Sequence, residues 1–176
     1  MFPGFDSPAV GFGQPFEMLE ACHERVQRSL ALLGRLIVHV DANGHDANSR
    51  SAAADVLRYF DVAAPLHHQD EELHVFPMLA EADDAGLVAA VAGLRTDHAR
   101  MEALWAGLRV TLVAWSRPDS AGAIDDAARR QAAEFERLYA AHLQTEEGLV
   151  FPAARARMGA ARLADMSADM AQRRRA

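Results

Sequence analysis

A chain of 176 residues is long enough for one domain with a substantial core, and one domain is the economical expectation. With 51% hydrophobic and 24% charged residues, and few β-branched clusters, its composition points to helices. The formal net charge of −7 argues against a nucleic-acid partner, which needs a basic face, and no apolar stretch approaches the roughly 20 residues that cross a membrane.

Residues 1–15 hold three Gly, three Pro and three Phe and are expected to form an extended N-terminal arm. Phe2, Phe5 and Phe12 of that arm are placed to cover apolar surface of this chain or of a second subunit, and the oligomeric state is left open. No basic residue precedes an apolar run, and Cys22 is a lone cysteine, suited to packing and to a reducing compartment. A cytoplasmic location is expected.

From Phe16 to about Val40, apolar residues recur at helical steps until the run DANGHDANS breaks the pattern. A second helix is predicted from an N-cap at Ser49 to about Ala82, kinked by Pro65 two residues before His67. A third runs from Ala85 to Trp115, and a fourth from about Gly122 to Met158 after the turn Ser116–Ser120. The domain is therefore drawn at 16–158. Beyond it, 159–176 is a C-terminal tail, helical or frayed, ending in Arg173, Arg174 and Arg175, expected as a solvated basic end without function.

Self-comparison exposes one offset of 75 residues. It relates His23 to His98, His67 to His142 and Glu71 to Glu146, and with them Phe60 to Phe135, Glu72 to Glu147, Phe76 to Phe151 and Pro77 to Pro152. The segments HHQDEELHVFP and HLQTEEGLVFP are the same unit twice. Each half supplies a helix with one histidine followed by a helix with His-x-x-x-Glu, whose members lie one turn apart on one face. The fold expected is all-α, an antiparallel up-down four-helix bundle of two helix-hairpin repeats, with four imidazoles and two carboxylates at one level. That is a donor set for two metal ions. Without thiolates it favours iron or manganese over a structural zinc site, though zinc could still occupy it, and carboxylates suit the bridging role.

Several neighbours need separate weighing. His68 aligns with Leu143, so the repeat selects the register that starts at His67. Glu72 and Glu147 read equally as acceptors behind the ligands or as surface charges. His74 reads as packing, and His39 and His45 have no counterparts. Glu102 is an extra ligand candidate or a gate, and Tyr139 a hydrogen-bond donor near the site. Trp105, Trp115, Met101 and Leu108 fall at core spacing.

Taken in order, His23, HHQDEE with its Phe-Pro, His98 and HLQTEE with its Phe-Pro resemble the hemerythrin-like HHE cation-binding family over about residues 16–158. The resemblance implies a four-helix bundle with a non-haem di-iron centre on His23, His67, Glu71, His98, His142 and Glu146. It also implies binding of dioxygen, peroxide or nitric oxide in sensing, stress defence or iron handling. Oxygen-carrying members have a second histidine where Glu102 stands, and a carboxylate one residue farther along than Glu146. The pattern is closer to relatives with four histidines and two glutamates, associated with repair of iron centres and nitrosative stress. A di-iron oxidase or peroxidase, and a zinc-bound or metal-free interaction module, are the alternatives.

Overall fold

The computed structural model describes residues 13–175, which are helical with no strand among them. Five helical runs follow one another. They are α1 (Pro15–Asn43), α2 (47–80), α3 (Ala85–Trp115), α4 (126–157) and α5 (Ala160–Arg173). Most of the expected arm, including Phe2, Phe5 and Phe12, lies outside the described residues.

The boundaries follow from capping chemistry. Pro15 opens α1 at a position where its missing N–H costs nothing, and α1 ends at Gly44, whose φ of 73° suits a residue without Cβ. The cap of α2 is Asp46, not Ser49. Asp46 accepts the Ser49 N–H at 2.8 Å while Ser49 Oγ accepts the Asp46 N–H at 2.8 Å, so Ser49 is the far half of a capping box. Asp84 caps α3, and Asp125 caps α4 after Gly122 turns at φ 97°, which starts α4 later than expected.

Neither α2 nor α4 is a uniform α-helix. π-turns occupy Tyr59–Ala63 and Glu71–Val75 in α2 and Glu146–Val150 in α4. After each comes a residue whose N–H reaches five residues back, as Phe76 does to Glu71 and Phe151 to Glu146, and then Pro65, Pro77 or Pro152. Proline has no N–H to donate and its ring crowds the preceding turn, so widening the helix just before it relieves both problems. The kink expected at Pro65 is thus one of three such adjustments.

Helix α1 packs on α2 and α4, and α3 packs on α2 and α4, while α2 and α4 also meet through Phe76–Ala80 and Phe151–Arg157. One apolar cluster gathers Val26–Val40, Ala53–Ala64, Met101–Trp115 and Ile124–Leu143. A second gathers Phe16–Leu19, Val75–Leu79, Leu87–Leu94 and Val150–Met158. Along every long helix the buried histidines and glutamates fall where those two stretches meet, with Leu143 of the first cluster set between His142 and Glu146 on α4. No helix among the described residues is long and apolar enough to cross a membrane.

The C-terminal segment departs from the solvated end expected of it. Helix α5 buries Met166 and Met170 in the second cluster, and Arg173 and Arg174 clasp the fully buried Asp70 at 2.7 and 2.5 Å. A carboxylate with no exposure needs such partners, because removing it from water costs several kcal/mol. His74 also engages α5, meeting Asp169 at 2.6 Å instead of packing. Breaking the clasp with Asp70→Ala should cost about 1–3 kcal/mol, because both arginines lose their buried carboxylate while Arg173 keeps Asp169 at 2.8 Å. A lowered urea midpoint would show it, and an unchanged one would mean that α5 is held by its methionines and by the His74–Asp169 contact.

Candidate metal centre

Four helices each bring their histidine to one level: His23 from α1, His67 from α2, His98 from α3 and His142 from α4. Glu71 and Glu146 stand one turn beyond His67 and His142, each at the first residue of a π-turn. The His-x-x-x-Glu spacing works as expected: His67 Nε2 lies 3.2 Å from Glu71 Oε1, and His142 Nε2 lies 3.1 Å from Glu146 Oε1. Across the helices, His23 Nε2 is 3.2 Å from Glu146 Oε2 and His98 Nε2 is 3.5 Å from Glu71 Oε2. Each carboxylate thereby faces a histidine of its own half through one oxygen and one of the other half through its second.

The six residues form two overlapping groups, His23–His67–Glu71–Glu146 and Glu71–His98–His142–Glu146. Within each, one donor atom per residue lies within 4.8 Å of the others. All six expected site residues are brought together, and Glu71 and Glu146 belong to both groups.

Behind them the repeat is used crosswise. Glu147 of the second half holds His23 Nδ1 at 2.8 Å, and Glu72 of the first half holds His98 Nδ1 at 3.1 Å. Phe151 stacks on His23 with ring centroids 5.2 Å apart, and Phe76 on His98 at 5.5 Å. Carboxylate and phenyl together fix each ring and leave Nε2 pointing inward. The halves diverge behind the other pair: His142 Nδ1 has Asp97 at 3.6 Å, whereas the equivalent of Asp97 is Cys22.

His68, which the repeat passes over in favour of His67, also lies beside the centre. Its ring stacks on His98 at 4.0 Å and 13°, its Nε2 meets Tyr139 Oη at 3.4 Å, and it forms a third donor group with His98 and His142. Position, not repetition, puts it there. Glu102 is exposed and belongs to none of the three groups, and neither do His39, His45 and His74. Of the residues read as core, Trp105 is half-exposed and donates its indole N–H to Asp61 at 2.9 Å.

Electrostatics show what this donor set fits. Burial drives Glu71 toward its neutral form, and the Glu146 charge adds to the effect. Burial also opposes ionisation of Glu146, but contacts with His142 and His23 outweigh it and hold the group well below the usual carboxylate range. Burial likewise opposes protonation of His23, yet Glu146 and Glu71 lift it to about 10. His67 is pushed well down by burial and by His23, and His98 to about 2 by burial and by His68 and His142. Both oxygens of both glutamates, His23 Nε2 and both nitrogens of His67 are buried without a hydrogen-bond partner. Burying two carboxylates whose near polar neighbours are imidazole nitrogens is costly, and a cation is the partner that nitrogen and oxygen lone pairs converging this closely accept.

A cleft reaches the centre from outside, with a cavity of about 640 Å³ between α2 and α3. Its inner wall includes His68, His98 and Tyr139, and its outer wall Trp105, Glu102 and Leu73.

Fold and site define an all-helical protein whose core carries paired histidine–glutamate groups able to hold metal. Residues 14–154 match the Hemerythrin HHE cation binding domain, and the chain belongs to that family. It is also 34% identical over 101 residues to an uncharacterized protein of Haemophilus influenzae. That match covers 57% of this chain and 58% of the relative.

The crosswise carboxylates yield a test. Glu147→Gln and Glu72→Gln should each weaken metal binding about ten- to hundredfold, as loss of a partner behind a histidine ligand does. Competition against a chelator measures it, and unchanged affinity in both would reduce these residues to surface charges.

Proposed function

We propose that His23, His67, Glu71, His98, His142 and Glu146 hold two iron ions, with Glu71 and Glu146 shared between them. The single observation that carries this reading is the overlap of the two donor groups at those glutamates. Nitrogen and oxygen donors without thiolate favour iron over a structural zinc, and manganese is the weaker alternative. The four long helices are read as an antiparallel up-down bundle of two hairpins over 16–158, flanked by the arm and the C-terminal segment, in a cytoplasmic protein.

Bound there, an iron pair supplies a site for a small oxidant and electrons to reduce it. The chain's own residues do the rest. Glu72 and Glu147 orient the outer imidazoles, Phe76 and Phe151 keep those rings in place, and the two apolar clusters exclude water from either side. The ligand is read as dioxygen, peroxide or nitric oxide, in sensing, stress defence or iron-centre repair. A second reading, a di-iron oxidase or peroxidase, is favoured by the 640 Å³ cleft, which exceeds what a diatomic ligand needs.

His67→Ala and Glu71→Ala should lower iron content sharply and His39→Ala should not. Equal loss in all three, or no iron in protein grown with iron, would overturn the assignment in favour of a zinc-bound or metal-free module. Admitting air to the reduced iron form separates the uses: a reversible charge-transfer band marks a binder, and irreversible oxidation marks redox chemistry or iron handling.

A further inference from the structure

The cleft beside His98 is organised around aromatic rings. Trp105 lies 5.1 Å from Phe60 and 6.0 Å from Phe135, Phe135 lies 4.9 Å from Tyr139, Tyr139 stacks near His68 at 5.9 Å, and His68 stacks on His98 at 4.0 Å. All of these side chains line the same cavity. An unbroken ring wall therefore runs from the half-exposed Trp105 to a histidine of the candidate centre. Flat rings on one side favour a flat ligand, because stacked and edge-on contacts reward planarity.

Charge narrows the class. The cation lining the cleft, Arg95, is already bound to Glu72 at 3.0 Å, and Glu102 adds a further carboxylate on the wall. An anionic ligand meets no uncommitted cation among these lining residues. At the inner end, His68 Nε2 meets Tyr139 Oη at 3.4 Å, and His68 Nδ1 forms no hydrogen bond among the described residues. A neutral ligand hydroxyl arriving there finds a nitrogen partner.

We propose that this cleft binds a neutral, planar, hydroxylated aromatic molecule of one or two rings, its hydroxyl set against His68 and its ring along Trp105. The volume of about 640 Å³ lies within the range of small-molecule sites. The ligand would sit one stacked imidazole away from His98. Its role as organic partner of the centre rests on the iron reading, whereas the binding itself does not.

The test titrates the metal-containing protein, as purified, with 2-naphthol in a calorimeter while metal content is measured on the same samples. One saturable site is expected. 2-Methylnaphthalene, lacking the hydroxyl, should bind about three- to tenfold more weakly, and 2-naphthoate at least about tenfold more weakly. Trp105→Ala should lose about tenfold, and Ala99→Trp, which fills the cleft from an exposed position, should abolish binding with metal content unchanged. The proposal is overturned if 2-naphthol does not saturate, if Ala99→Trp binds it as well as the parent, or if 2-naphthoate binds as tightly. A missing metal with intact naphthol binding would instead sink the iron reading and leave the cleft standing.

Discussion

Glu71 and Glu146 are two carboxylates with no solvent exposure, one turn from histidines and set in a layer between two apolar clusters. A carboxylate in such a place costs several kcal/mol unless it is neutralised and its lone pairs are occupied. Much of the remaining architecture answers that requirement. Four helices each deliver an imidazole to the level of the carboxylates, and the two apolar clusters seal the layer on both sides. Both clusters are interrupted at the same height on every long helix, and only there is a polar layer admitted.

The duplicated sequence solves the problem by exchange between halves. Glu72 and Phe76 follow the first His-x-x-x-Glu but support His98, while Glu147 and Phe151 follow the second and support His23. A repeat of this kind makes neither half sufficient alone, because each outer histidine is oriented by the other half. The π-turns serve the same end. Those at Glu71 and Glu146 place the widened turn at the carboxylate itself, where the following Phe-Pro cannot sustain ordinary helical bonding.

Much of this was legible in the sequence. The 75-residue offset selected His67 over His68 and found all six converging residues, because duplication records which positions are used twice. The roles of Glu72 and Glu147 stayed open, since which helix faces which cannot be read from spacing within one helix. The same repeat passes over His68, which has no repeat partner and whose place against His98 arises from the packing of α2 on α3. Pro65 predicts a kink, and Pro77 and Pro152 carry the same signal at the two repeated Phe-Pro steps. The terminal arginines looked like a basic tail because nothing local shows that Asp70 lies buried and in need of them.

Under the proposed assignment, two shared carboxylates make one centre for two ions. Anaerobic titration of the metal-depleted protein with ferrous iron, followed by calorimetry and metal analysis, tests it most directly. The account predicts saturation at two ions per chain, with both ions lost together when a chelator is added. Saturation at one ion, or two ions that bind and leave independently, would contradict it.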